Sequence, residues 1–269
     1  MKIQDLLLIS DLDGTLIGEN YQIPERNLKA IRRFQEKGGQ FAIATGRSGD
    51  SGAQYYHQSQ PNGLSVLLNG AVIYDFETDR VVKSVSMPPQ ASEYARILAE
   101  HFPEVGYEVF TERDLFVLRC NRYIQAHLEH EGLSCVETKA EDIPGSWCKV
   151  LFASEPEIKQ KMHDFTDTFS HPGVRFVQTS SHFLEMLPDE VNKGTGLDEI
   201  LNQTGISRSQ VVAIGDYYND VELLKAAGFA AVPSNAPQDI QDMADLVVGH
   251  CYEGAVADLI EYLEQTHQE

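Results

Sequence analysis

The chain has 269 residues, 42% of them apolar, which suffices for two hydrophobic cores and is short for three. Its 41 acidic against 21 basic residues leave a net charge of −20, which disfavours nucleic acid and anionic lipid as partners because no basic cluster stands out. The densest basic run, Arg32-Arg33 with Lys29 and Lys37, lies at helical spacing and reads as a solvated helix face.

The four cysteines (Cys120, Cys135, Cys148, Cys251) are too far apart for a Cys-x-x-Cys motif and too few for a disulfide scaffold, which fits a reducing cytosol. The apolar run near the N-terminus is too short for a signal peptide or a membrane span, so a soluble, cytoplasmic protein is expected.

In chain order, Leu6 to Ile9 reads as a buried parallel strand that delivers Ser10-Asp11-Leu-Asp-Gly14 at its carboxyl end. A helix follows from Pro24, with Leu28, Ile31 and Phe34 on one face and Gly38-Gly39 as its stop. A strand over Phe41 to Ala44 ends in Thr45-Gly46-Arg47, a helix starts near Ser51, and a third strand over Leu64 to Leu68 ends in Asn69-Gly70. This βαβαβ succession predicts an α/β, doubly wound parallel sheet with ligands bound beyond the strand carboxyl ends. After Val72 to Tyr74 the pattern changes: short strands (Val81 to Val85, Val105 to Phe110, Leu115 to Leu118, Lys149 to Phe152, Val174 to Gln178, His182 to Leu187) mix with helices near 89–101, 123–130 and 155–169. That stretch is expected to be an inserted α+β domain. From Lys193 the alternation resumes, with a helix to Asn202, strands over Val211 to Ile214 and Phe229 to Val232, and helices over Asp220 to Ala227 and near Pro237 and Ala255. The acidic segment Glu261 to Glu269 is expected to be the frayed end of the last helix.

Four polar positions sit just past apolar strands or at a helix start: Asp11 with Asp13, Thr45, Lys193, and Asp216 with Asp220. Parallel neighbours would bring them to one sheet edge. Several carboxylates gathered there repel unless a hard divalent cation sits among them, and oxygen-only ligation favours Mg2+. Strand alternation would put Asp11 and Asp13 on one side, roughly 6.6 Å apart along the chain. One carboxylate can attack phosphorus while the other gives and takes a proton. Lys193, the Thr45 hydroxyl and a helix N-terminus suit the charge on a transferring phosphoryl group.

Asp11-Leu-Asp-Gly-Thr15, Thr45-Gly-Arg47, Asn69-Gly70, Asn192-Lys-Gly194 and Gly215-Asp-Tyr-Tyr-Asn-Asp220 resemble the ordered motifs of the haloacid dehalogenase (HAD) superfamily, specifically its Cof-type, subclass IIB phosphatases. Ser234-Asn-Ala236 and Glu253-Gly-Ala255 extend the resemblance to essentially the whole chain. It implies a Rossmann-like core, with Asp11 as nucleophile and Mg2+ ligand and Asp13 as acid/base that offers its carbonyl to the metal. It further implies phosphate binding by Thr45, Gly46, Lys193 and Asn219, and metal binding by Asp216 with Asp220 in support. Only 31 residues separate Asp13 from Thr45 while 147 separate Thr45 from Lys193, so the cap is expected as the C2B type over residues 83–187, with core residues 1–82 and 188–269. Glu190 stands where the family often has glycine, which bears on loop shape and substrate.

The implied function is Mg2+-dependent hydrolysis of small phosphate esters through an aspartyl phosphate: sugar, nucleotide-related, flavin or pyridoxal phosphates, selected by a closing cap. The alternatives are a phosphomutase of the same superfamily and a non-enzymatic phosphate sensor that keeps its aspartyl phosphate. A monomer or homodimer is expected. Other features have plainer readings. Asp11 to Gln22 lacks the glycine and glutamate of a calcium loop. Ser51 in Gly49-Asp-Ser-Gly52 reads as a loop or helix start, and His127 with His130 as an exposed polar helix face. Trp147, Tyr107, Phe110 and Phe116 read as cap core, and Arg113, Arg119, Arg122 and Lys149 as surface charges that could also read a leaving group.

Overall fold

The computed structural model describes residues 2–18, 21–130, 133 and 136–267. Its contacts divide the chain into two units: Met1–Gly46 with Ala53–Lys83 and Asn192–Glu269, and Arg47–Gly52 with Ser84–Val191. The segment Arg47–Gly52, which spacing alone placed with the first domain, thus groups with the second. Glu131 and Cys135 lie outside the described residues. Cys120 is disulfide-bonded, a feature that the reducing-cytosol reading did not anticipate, while Cys148 and Cys251 are free. Among the described residues no helix is long and apolar enough to cross a membrane.

The first unit is built on a five-stranded parallel sheet of order β13-β12-β11-β1-β2. These strands are β1 (Leu7–Ser10), β2 (Gln40–Ile43), β11 (Val211–Ile214), β12 (Phe229–Pro233) and β13 (Leu246–Val248). β1 and β11 are buried throughout, as expected of strands covered on both faces. The last strand, β13, was not expected from its three-residue sequence. The chain leaves β1 towards β2 on one side and returns through β11 to β13 on the other, so the topological switch point lies between β1 and β11.

Helix α1 (Glu25–Glu36) buries Ala30, Ile31 and Phe34, and α9 (Ala255–Thr266) buries Val256, Leu259, Ile260 and Leu263. The expected apolar stripe of α1 is present, with Leu28 only half-buried. Arg26 pairs with Asp258 and Glu261, and Arg33 and Lys37 with Glu264, so much of the basic run on α1 is tied to α9 rather than simply solvated. The other sheet face packs Leu7, Ile9, Val211 and Ala213 against Leu197 and Ile200 of α6 (Lys193–Thr204) and Leu223 and Leu224 of α7 (Val221–Ala226). α2 (Ala53–Ser59) and α8 (Gln238–Gln241) complete this unit's α-helices among the described residues.

The third expected strand, β3 (Ser65–Leu67), is not a full member of that sheet. It meets the end of β2 only through the Ala44–Val66 bridge and otherwise starts a separate sheet of order β3-β4-β5, with β4 (Val72–Asp75) and β5 (Arg80–Ser84). Leu68 and Asn69 then adopt positive φ, turning the chain sharply instead of extending β3.

The second unit holds an antiparallel sheet of order β7-β6-β8-β10-β9: β6 (Gly106–Phe110), β7 (Leu115–Arg119), β8 (Lys149–Ala153), β9 (Val174–Gln178) and β10 (Phe183–Pro188). One face carries the core, where Val109, Val150, Phe152, Leu184 and Met186 meet Tyr94, Ala95 and Leu98 of α3 (Ala91–His101) and Met162 of α5 (Pro156–Thr166). Tyr107, Phe116 and Trp147 pack against that core as expected. Phe110 projects to the opposite face, where the Lys149 ammonium sits 4.2 Å from its ring centroid.

Candidate active site

All five strands of the parallel sheet point the same way, so the loops that follow them gather at one edge. Asp11 is the first residue past β1 and Asp216 the second past β11, on either side of the switch point, and Asp11 N–H donates to the Ile214 carbonyl at 2.8 Å. Carboxylate oxygens of Asp11, Asp216 and Asp220 come within 4.8 Å of one another.

Asp13 is related to Asp11 differently from the sequence expectation. β1 ends at Ser10 and the chain turns at Leu12, between the two aspartates, so strand alternation does not relate them. Asp11 is buried, whereas Asp13 is exposed and stands outside the acidic cluster.

Lys193 enters at the first position of α6. A cation there opposes the helix dipole, so propensity does not account for it. The helix is started by Asn192, whose side chain accepts the Thr195 N–H at 2.9 Å while Thr195 Oγ1 accepts the Asn192 N–H at 3.0 Å. Lys193 is fully buried, and its Nζ donates to Asp11 Oδ1 at 2.6 Å and Asp220 Oδ1 at 2.5 Å. Asp220 Oδ2 accepts the N–H groups of Asp216 and Tyr217 at 3.0 and 3.1 Å. Both Asp220 oxygens are thus engaged by protein donors, which makes it a brace for Lys193 and for the Asp216 loop.

Thr45, two residues past β2, is buried, and its carbonyl accepts the Asn69 N–H at 3.0 Å. Asn69 adopts the left-handed conformation at φ 55°, and its Oδ1 accepts from Asn219 Nδ2 at 3.2 Å. Gly46 lies against the same side chain, since a Cβ there would come 3.0 Å from Asn69 Nδ2. Thr45, Gly46 and Asn219 therefore meet around Asn69. The following Gly70, at φ +111°, lets the backbone pass so close to Asn192 that a Cβ would lie 2.2 Å from its carbonyl oxygen. That contact brings the Asn69 turn up to the start of α6.

The electrostatics are dominated by excess negative charge. Burial pushes the Asp11 carboxyl well above its usual range; Lys193 opposes the shift, and Asp220, Asp216 and Asp13 add to it. Asp216 is pushed up to about 6, by burial first and Asp220 second. Burial works against the Lys193 charge, yet Asp11 and Asp220 together hold its pKa above the ordinary lysine value. Three clustered carboxylates with a single ammonium retain negative charge, and their donors are all oxygen. That donor set fits a hard divalent cation and is a poor one for soft, thiolate-preferring metals.

Three residues quoted in the sequence motifs without a role prove to hold the site together. Thr15 Oγ1 donates to Asp216 Oδ1 at 2.9 Å. Asn235 Nδ2 donates to the Gly14 carbonyl at 2.9 Å and its Oδ1 accepts the Cys251 N–H at 3.0 Å. Asn192 caps the lysine helix, and an Asn with Thr three residues later just before an apolar-periodic run is a signal that a cap search finds.

The other candidates have partners within the second unit. Lys149 is buried and paired with Glu185 at 3.1 Å, and is not a surface charge. Arg119 donates to the Ala99 carbonyl at the end of α3 at 2.9 Å, and Arg122 pairs with Glu155. His127 does not lie on an exposed polar face: its Nε2 is 3.7 Å from the buried Glu108 and its ring packs edge-on against Phe183. Ser51 forms a reciprocal turn with Ser48, each N–H donating to the other's hydroxyl. Glu190 is exposed.

The chain is 26% identical over 271 residues to the 5-amino-6-(5-phospho-D-ribitylamino)uracil phosphatase YitU of Bacillus subtilis, spanning 96% of this chain and 97% of that one. It is 24% identical over 265 residues to the pyridoxal phosphate phosphatase YbhA of Escherichia coli, spanning 93% and 95%. A haloacid dehalogenase-like hydrolase from Bacteroides thetaiotaomicron shares the fold with a TM-score of 0.89 at 23% identity, covering 96% of this chain and 99% of that one. Residues 8–260 match the haloacid dehalogenase-like hydrolase family, and the chain belongs to it.

Proposed function

We propose that this protein is a Mg2+-dependent phosphatase that hydrolyses small phosphorylated metabolites through an aspartyl phosphate, an acyl phosphate formed on Asp11. The observation that carries the reading is the Asp11–Lys193 contact of 2.6 Å inside a cluster of oxygen donors at the switch point of the sheet. The two curated relatives, whose names describe phosphatases of a ribitylaminouracil phosphate and of pyridoxal phosphate, support the same class of substrate. We take residues 83–187 as the family's α/β cap and the remainder as its catalytic core.

The residues divide the chemistry as follows. Asp11 attacks phosphorus with a carboxylate oxygen, forming an acyl phosphate as the ester oxygen leaves. Asp13, exposed beside it, gives its proton to the departing alkoxide and then takes one from the water that hydrolyses the acyl phosphate. Lys193 holds Asp11 in place and neutralises phosphoryl charge, joined by the Thr45 hydroxyl, the Gly46 N–H and the Asn219 amide. Asp11, the Asp13 carbonyl and Asp216 would hold Mg2+, with Asp220 fixing the loop that carries Asp216. Bound there, the cation would neutralise the clustered carboxylates and polarise the phosphoryl oxygens.

The test is phosphate release from para-nitrophenyl phosphate and a panel of sugar, nucleotide, flavin and pyridoxal phosphates, with Mg2+ and with chelator, for the native protein and Asp11→Asn. Release that requires both Mg2+ and Asp11 is expected. Release that survives in Asp11→Asn, or none from any compound, would overturn the reading; isomerised hexose phosphate in place of free phosphate would make the protein a phosphomutase.

A further inference from the structure

Asn235 stands two residues past β12, on the same edge as the acidic cluster, and its amide joins two loops. Nδ2 donates to the Gly14 carbonyl at 2.9 Å, and Oδ1 accepts the Cys251 N–H at 3.0 Å. The first bond matters because the Gly14–Thr15 turn is packed against the Asp216 carboxylate. Thr15 Oγ1 donates to Asp216 Oδ1 at 2.9 Å. On the other oxygen, a Cβ at Gly14 would come 2.5 Å from Asp216 Oδ2. One oxygen is thus held by a hydroxyl and the other is bounded by backbone, so the direction of the carboxylate follows the position of this turn. Gly14 sits at φ +81° in a turn whose ends are joined by the Leu16 and Ile17 N–H groups donating to the Leu12 carbonyl. Asn235 reaches it from 221 residues along the chain and anchors it to the turn that opens α9.

We propose that Asn235 is a positioning residue for Asp216, acting through the Gly14–Thr15 turn, and that it thereby sets the affinity of the acidic cluster for a divalent cation. The inference rests on the metal-dependent reading above and goes beyond it by naming a residue that touches neither metal nor substrate. Hydrogen bonds behind a metal ligand orient it, and losing one costs about 10–100-fold in metal affinity. The amide supplies both the donor to Gly14 and the acceptor to Cys251; an aspartate keeps the second and turns the first into a repulsion between oxygens.

The experiment is calorimetric titration with Mg2+ or Mn2+ of the native protein, Asn235→Ala, Asn235→Asp, Thr15→Val and the double variant Asn235→Ala/Thr15→Val, with melting temperatures recorded alongside. Asn235→Ala and Asn235→Asp are expected to raise the metal Kd by about 10-fold or more. The phosphate release they lose should return when the metal concentration is raised by the same factor. Because Asn235 and Thr15 act on one carboxylate, the double variant should raise Kd by less than the product of the single effects. If Asn235→Ala does not fold, Asn235→Asp, which keeps the bond to Cys251, carries the comparison. A Kd within twofold of native in the Asn235 variants, or single effects that multiply, would overturn the proposal while leaving the phosphatase reading intact. A native protein that binds neither cation would overturn both.

Discussion

Replacing Lys193 by methionine keeps the side chain's length and removes its charge. Lys193 is fully buried, with Nζ 2.6 Å from Asp11 and 2.5 Å from Asp220, so the change leaves two buried carboxylates without their shared cation. Removing one partner of a buried ion pair costs about 3–5 kcal/mol, because the partner left behind has lost both water and counter-charge. At about 2–4 °C per kcal/mol for a domain of this size, the melting temperature should fall by roughly 10 °C in chelator at pH 8. The penalty should shrink at pH 5, where Asp216, with a pKa of about 6, takes up a proton and the cluster loses charge. Mg2+ at about 100 times its Kd should restore about 2.7 kcal/mol at pH 8. Phosphate release should drop by about 100-fold to 1,000-fold even with saturating Mg2+, since a fixed donor to the phosphoryl group is gone. Scanning calorimetry at both pH values, with and without Mg2+, reads these effects. A loss below about 2 °C in chelator at pH 8, or equal losses at pH 5 and pH 8, would refute the claim that Lys193 is chiefly an electrostatic counter-ion.

Asp216 also predicts how stability and metal binding depend on pH. Its folded pKa of about 6 exceeds the ordinary 3.8, so between these values the folded chain binds more protons than the unfolded one. The metal-free protein should therefore lose stability as pH rises from about 4 to about 6, by about 3 kcal/mol from this group alone. Mg2+ competes with that proton, so calorimetry at pH 6 in buffers of different ionisation enthalpy should show proton release on binding, and no release would contradict the shift. Gly70→Ala places a Cβ 2.2 Å from the Asn192 carbonyl at φ +111°, and should lower the melting temperature by about 5–10 °C and depress phosphate release; Gly145→Ala, at φ +78° in open space, should incur only about 1 kcal/mol of backbone strain. Asp13→Asn should slow turnover by about 100-fold to 10,000-fold with little change in the melting temperature, because its carboxylate is exposed; a loss above about 5 °C would mean a structural role. In the second unit, Lys149→Met should destabilise by about 3–5 kcal/mol through loss of the buried ion pair with Glu185, whereas Lys149→Met/Glu185→Leu should recover most of that; equal losses in urea titrations would show that the pair is not the cause.

Much of the site was legible from local signals. A four-residue apolar strand followed by Asp-Leu-Asp-Gly, the Thr45-Gly46 pair and the Gly215-Asp216 turn are patterns of hydrophobicity and turn chemistry, and both report on the chain within a few residues. The alternation of strands and helices placed these ends on a parallel sheet by the same local means. The sequence by itself therefore determined which polar residues meet and that they share an edge.

Tertiary structure decided what their geometry is. The Asp11–Asp13 relation follows a turn rather than a strand, because β1 ends at Ser10 and the ladder to β11 and β2 ends with it. β3 leaves the main sheet because Leu68 and Asn69 turn with positive φ, a choice fixed by the Asn69 contacts to Thr45 and Asn219. Lys149 and His127 looked like surface or polar-face residues, since charge in a sequence reads as exposure, and only the sheet register showed Lys149 buried beside Glu185. Asn235 could be quoted as a motif and given no role, because its partners Gly14 and Cys251 lie 221 and 16 residues away. Hydrogen bonds across such separations leave no periodicity in the sequence. They exist only once strands β1, β12 and β13 lie in one sheet and end together.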